Sequence, residues 1–191
     1  MRLNAKRMIV ALAAVVLVGS ISISISASPP PASPETSAYL SGRASTLLAE
    51  VQQQAAGLTR HAEILGTLSG QSQFSWQSHA FYLDQVKRHI NEVGERTADL
   101  ERMRSSVLPW QQRAITEVTA HAAQVAASTQ AAIAHLRQNQ DRLMVSEYRG
   151  HLTTIAERSE DMKQTVDKFL DYEETEQTLQ QMKNELELPR E

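Results

Sequence analysis

Residues 76–100 of this chain read WQSHAFYLDQVKRHINEVGERTADL, and the spacing of their apolar positions decides the fold. Gaps of three and four residues alternate through the stretch, which places these side chains along one face of an α-helix. The series is Trp76, His79, Leu83, Val86, Ile90, Val93, Thr97 and Leu100. A helix with one apolar face buries it against other helices, so the stretch predicts one member of a helical bundle.

Three more series with the same spacing flank this one. The first helix ends at the loop SGQS, residues 69–72, and Pro109 separates the second helix from the third because proline is tolerated only in a helix's first turn. The core positions are Leu40, Ala44, Leu47, Val51, Gln54, Leu58, His61, Leu65 and Leu68; Ile115, Val118, Ala122, Val125, Thr129, Ala132, Leu136, Asn139 and Leu143; and Tyr148, Leu152, Ile155, Ser159, Met162, Val166 and Phe169. Short turns between long helices make neighbours antiparallel. We therefore predict an all-α protein, a long antiparallel up-down-up-down four-helix bundle over residues 36–172.

The register of the apolar series changes after Phe169. Continuing the core spacing would put Glu173 and Glu176 in the core, whereas the apolar side chains fall on a shifted face. Those side chains are Tyr172, Leu179, Met182 and Leu186. We expect residues 173–191 to form a separate acidic tail, either helical or disordered, or a stripe that docks on a partner.

The first 35 residues differ from the rest in composition. A short cationic start, MRLNAKR, precedes the apolar run Met8–Val18, and small residues at Ser24 and Ser26 fit a cleavage site before Ala27. We expect residues 1–26 to be a signal peptide or an uncleaved membrane anchor, and residues 27–35 to be a Pro/Ser-rich linker. The protein is then exported to the periplasm or another extracytoplasmic space. It is soluble there if cleaved near Ala27, and otherwise anchored in the cytoplasmic membrane through residues 8–26.

Composition excludes several classes of function. The chain has 19 basic and 22 acidic residues and no basic stripe, which argues against binding to nucleic acid. It has no cysteine, so disulfides, thiolate metal ligands and cysteine nucleophiles are excluded. The signatures G-x-S-x-G, S-x-x-K and H-E-x-x-H are missing, as is a glycine-rich phosphate loop. We therefore expect a protein that is not an enzyme.

Four histidines form the candidate ligand site. When the chain is folded back at each turn, two of them meet in one core layer with Leu136 and Ile155, and two lie beside that layer. They are His61 and His79 in the layer, with His135 and His151 beside it. Converging imidazoles can bind a transition metal or a non-covalent haem. The E-x-x-H pattern of di-iron bundles is absent, and a buried histidine pair also serves as structure through hydrogen bonds. If the histidines are structural, we expect no cofactor. The alternative is that they bind a metal or haem.

Aromatic residues cluster at the start of the second helix. Phe74 and Trp76 are expected to plug the end of the core, whereas Phe81 and Tyr82 lie off the core series and are candidates to bind a partner. The first interpretation is thus an exported, non-enzymatic interaction or scaffold protein that binds another protein through Phe81 and Tyr82 or through the shifted apolar face of the tail. The alternative is a small-ligand, metal or haem binder. A homodimer formed by the ends of the helix hairpins is also open.

Overall fold

The computed structural model describes residues 34–71 and 75–186, and in these ranges the protein is all-helical. The helices are α1, Pro34–Ser69; α2, Trp76–Met103; α3, Pro109–Gln138; and α4, Ser146–Glu185. A short 3-10 helix, Arg104–Ser106, connects α2 to α3, and no strand occurs within these ranges. The leader and most of the linker, Phe74, and the last five residues of the chain lie outside the described residues.

The four helices pack against one another around a single apolar core. α1 lies against α2 and α4, and α3 lies against the same two helices, so that α1 and α3 are opposite each other with few direct contacts. None of the helices in the described ranges is both long enough and apolar enough to cross a membrane. The prediction of an all-α fold with four packed helices is confirmed.

Burial follows the predicted core series closely. In α2 every predicted position except the first is buried, from His79 to Leu100. In α4 the series is buried from Tyr148 to Val166. Five predicted core positions are only half-buried in the described structure: Leu40, Gln54, His61, Asn139 and Phe169. Helical periodicity therefore identified most of the core, and three of the five exceptions, Gln54, His61 and Asn139, carry polar side chains.

Trp76 is a correction to the predicted core. Its side chain is 39% exposed, although it continues the α2 series by spacing. It is the first residue of α2, where the helix begins at the end of the bundle and no preceding turn covers it. The aromatic plug expected at this end is therefore not provided by Trp76.

A buried glutamine fixes the connection between α2 and α3. Gln111 Nε2 donates hydrogen bonds to the Ser41 carbonyl oxygen at 2.8 Å and to Ser45 Oγ at 3.0 Å. Its Oε1 accepts a hydrogen bond from the Leu108 backbone N–H at 3.1 Å, one residue before Pro109 begins α3. One side chain thus caps the start of α3 and attaches it to α1.

α4 continues without a break beyond the four-helix core. It has 40 residues and remains helical to Glu185, so the helical alternative describes the tail up to that residue. From Asp171 to Leu186 every side chain is exposed except those of Glu173 and Lys183, which are half-buried. We name residues 171–186 the α4 extension.

Candidate functional site

Two of the predicted histidines meet around a buried tyrosine. His79 Nδ1 lies 3.1 Å from the Tyr148 hydroxyl oxygen, and their side chains are 1% and 0% exposed. The ring of His135, in α3, stacks on the ring of Tyr148, in α4, with 5.3 Å between ring centroids and 26° between planes. The structure therefore brings His79 and His135 to one place, and Tyr148 joins them.

Burial favours the neutral forms of His79 and Tyr148. It lowers the pKa of His79 and raises the pKa of Tyr148, because each charged form would lose its hydration. A neutral imidazole has one bare nitrogen, so the tyrosine O–H can donate to Nδ1 and satisfy two buried polar groups together. The arrangement is that of a structural hydrogen bond inside a core.

His61 lies in a second cluster, at the contact between α1 and α2. Its ring stacks on that of His89, with centroids 5.2 Å apart and planes at 21°, and lies 6.1 Å from the Tyr82 ring. His89 Nδ1 is 2.7 Å from Gln54 Oε1, whereas the buried Nδ1 of His61 has no hydrogen-bond partner. His61 and His79, predicted to face each other in one layer, thus have different ring partners.

Burial and neighbouring positive charges favour the neutral forms of His61 and His89. Burial lowers the pKa of His61, and the neighbouring Arg60 guanidinium lowers it further. Burial also lowers the pKa of His89, with added contributions from His61 and Arg88. Two stacked rings cannot both accept a proton beside two arginines without strong repulsion.

Gly57 makes room for the ring of His89. A Cβ atom at this position would lie 2.7 Å from His89 Cε1 and 2.8 Å from Nε2, well inside van der Waals contact. The α2 imidazole therefore occupies the space of the missing α1 side chain. His89 stands one residue before the core position Ile90, ten residues from His79, and was therefore not expected in the predicted histidine layer.

The predicted metal ligands do not form one cluster. His79 and His135 belong to the Tyr148 group, His61 belongs to the His89 group, and His151 is half-buried on α4. Within residues 34–71 and 75–186, no three His, Cys, Asp or Glu side chains are grouped so that they could hold a metal ion.

The two residues proposed from the α2 aromatic patch behave differently. Phe81 is 59% exposed, whereas Tyr82 is half-buried and packs against the core. Their rings meet edge to face, with 5.2 Å between centroids. Of these two residues, Phe81 presents the larger exposed surface.

The α4 extension presents the larger apolar surface. Its four apolar side chains are Tyr172 at 47%, Leu179 at 46%, Met182 at 53% and Leu186 at 65% exposure. All four residues predicted from the register shift are therefore at the surface of a continuous helix.

An aromatic cluster stands where the extension leaves the bundle. Trp110 stacks on Phe169 at 6.2 Å between centroids, and Tyr172 meets the Trp110 ring edge to face at 5.9 Å. Trp110 is the second residue of α3, and sequence reasoning missed it because it falls outside the core series. The cluster supports the base of the extension, since paired rings of this kind add packing energy beyond their buried area.

Comparison with protein-family models, with curated protein sequences and with solved structures found no match to this chain.

Proposed function

We propose that this chain is an exported, non-enzymatic interaction protein, in which an antiparallel bundle holds the α4 extension out for a protein partner. The observation that carries the proposal is the continuation of α4 as a helix with four large apolar side chains exposed. Exposed apolar stripes on a folded helix are typical of surfaces that bind other proteins.

The up-down-up-down order is supported by the contacts between neighbouring helices. In the pairs α1–α2 and α3–α4, residue numbers rise along one helix while the numbers of their contacts fall along the other, which is the pattern of antiparallel neighbours. The contacts are Glu50–Arg96, Gln54–His89 and His61–Tyr82 between α1 and α2; Gln52–Asp167 between α1 and α4; and Trp110–Tyr172 and His135–Tyr148 between α3 and α4.

Export is supported by the leader sequence alone. A cationic start, an apolar run and small residues before Ala27 are the three parts of a secretory signal. In an oxidising compartment a chain without cysteine depends on its core for stability, and the long buried series of the four helices supplies one. The proposed location is the periplasm or another extracytoplasmic space.

Site-specific photo-crosslinking tests the proposed interaction. A photoreactive amino acid at Leu179 or Met182 should form discrete adducts with a partner in the cells that make the protein. The matched control is Gln177, which is exposed on another side of the same helix. Equal or absent adducts at all three positions would refute the proposed role of the extension.

A second candidate function, binding of a metal or haem, rests on the stacked His61–His89 pair and the unpartnered Nδ1 of His61. Zn²⁺ or haem at about 100 times its dissociation constant would add about 2.7 kcal/mol to stability. For a domain of this size, that raises the melting temperature by about 5–10 °C. The increase should disappear in His61→Ala and His89→Ala and persist in His151→Ala. No increase in the unsubstituted protein would eliminate this function.

A further inference from the structure

The α4 extension carries the pattern of one strand of a two-stranded coiled coil. Residues separated alternately by three and four positions line one side of it: Tyr172, Thr175, Leu179, Met182 and Leu186. At about 100° per residue these five lie within an arc of roughly 80°, the narrow stripe of a coiled-coil seam. We name these five residues the seam.

Apart from the edge contact of Tyr172 with Trp110, the described part of the chain leaves the seam uncovered. All five of its side chains are exposed, whereas the core series of the same helix is buried as far as Val166. The segment is already helical as a continuation of α4, so an association would not have to supply the cost of nucleating a helix.

The charges beside the seam discriminate between partners and orientations. With Tyr172, Leu179 and Leu186 at heptad position a, position e holds Glu176 and Lys183. In an antiparallel pair of identical helices, position e faces position e, so Glu176 of each copy approaches Lys183 of the other. In a parallel pair, Asp171 at position g would approach Glu176 at position e, which places two acidic groups together. The flanking charges are thus complementary to a second copy in the antiparallel orientation.

We propose that two copies of this chain associate through their α4 extensions, which form an antiparallel coiled coil with the seam inside and two Glu176–Lys183 pairs on its flanks. This inference rests on the proposed function and names its partner as a second copy. The two bundles then point away from each other along the common axis of the extensions.

Sedimentation of the purified protein tests the association. We expect a monomer–dimer equilibrium that depends on concentration. The double substitution Leu179→Glu with Met182→Glu should raise the dissociation constant by at least about 100-fold, because it buries charge in the seam. The matched control, Gln177→Glu with Gln180→Glu, adds the same charge on another side of the helix and should dimerise like the unsubstituted protein. A dimer that both double variants retain would refute the seam.

A charge exchange tests the orientation. Glu176→Lys alone, or Lys183→Glu alone, places like charges together twice and should weaken the dimer by about 10-fold. The double variant with both exchanges restores opposite charges and should recover an affinity within about 3-fold of the unsubstituted protein. A double variant weaker than either single one would refute the antiparallel contact.

Disulfide trapping provides an independent test, because the chain has no cysteine of its own. In the antiparallel coil position a meets position d, so copies with Leu179→Cys should cross-link to copies with Met182→Cys and neither should cross-link to itself. Self-cross-linking of each single variant would show a parallel coil and overturn the proposal. An unsubstituted protein that stays monomeric at every concentration would also overturn it. Photo-crosslinking adducts of a different mass would in that case still support the proposed function with another partner.

Discussion

Replacing Gly57 by alanine should destabilise the bundle, although the same change at other helical glycines should stabilise it. Gly57 lies within α1, and the three atoms nearest to an added Cβ all belong to the His89 ring, at 2.7, 2.8 and 3.0 Å. The ring would have to move away from α1. In moving, it would leave the hydrogen bond with Gln54 and the stack on His61.

The magnitude follows from three contributions. Alanine gains about 1 kcal/mol over glycine inside a helix. Loss of the Gln54–His89 hydrogen bond costs about 1 kcal/mol, and loss of the stacked ring contact costs about another 1 kcal/mol. Gly57→Ala should therefore lower the free energy of unfolding by about 1 kcal/mol, while the gain should be realised fully at Gly94, where an added Cβ meets nothing within 4 Å.

Thermal unfolding of the two variants side by side measures this difference. A gap of about 2 kcal/mol corresponds to about 4–8 °C between the melting temperatures of Gly57→Ala and Gly94→Ala. In a His89→Ala background the clash is removed, and Gly57→Ala should then stabilise like Gly94→Ala. If Gly57→Ala stabilised the protein to the same extent as Gly94→Ala in the natural background, the placement of the His89 ring over α1 would be wrong.

Three further predictions concern buried polar groups. The pKa values of His61 and His89 are lowered from 6.5 by burial first and then by their charged neighbours, with Glu92 opposing the effect at His89. The unfolded chain therefore binds protons more readily than the folded chain. The stability that neutral His61 and His89 contribute should be fully present above pH 6.5 and should be lost as the pH falls toward their lowered pKa values. Denaturant titrations at several pH values measure this dependence, and His89→Leu should weaken it. Tyr148→Phe leaves the buried His79 Nδ1 without its hydrogen-bond partner and should lower the free energy of unfolding by about 1–3 kcal/mol. Combining it with His79→Leu should recover part of that loss. Equal stabilities of Tyr148→Phe and the unsubstituted protein would argue against the Tyr148–His79 hydrogen bond. Gln111→Ala should cost about 2–4 kcal/mol by removing the cap of α3 and its attachment to α1, whereas Gln130→Ala on the exposed side of α3 should change stability by less than about 0.5 kcal/mol.

The fold could be predicted from the sequence because burial in a bundle follows a period. Leucine, valine and isoleucine at alternating gaps of three and four are buried wherever a neighbouring helix covers both sides of the series, as from Leu83 to Leu100. Trp76 fits the same period but stands at the first residue of its helix, where the covering turn is missing. Periodicity predicts the direction in which a side chain points, but it does not show whether other residues cover that side chain at the end of the bundle.

The histidine site could be predicted only in part, because its contacts form beside the core series. His89 and Trp110 occupy flanking positions, and their contacts depend on how far each helix is rotated and on which rotamer a long side chain adopts. The space over Gly57 that accepts His89 is likewise a property of two helices together. The α4 extension was recognisable because its register shift is a property of one helix, readable at Tyr172, Leu179 and Met182.

The most direct test of the central claim, that the α4 extension serves association and not folding, is the unfolding free energy of the chain without residues 173–191. The deletion keeps Tyr172 and hence the ring contact with Trp110. A denaturant titration at a concentration below any association should give a value within about 1 kcal/mol of the full chain, because the deleted part of the described helix contains no buried apolar side chain. A loss of more than about 3 kcal/mol would contradict the account, since the extension would then belong to the folded core.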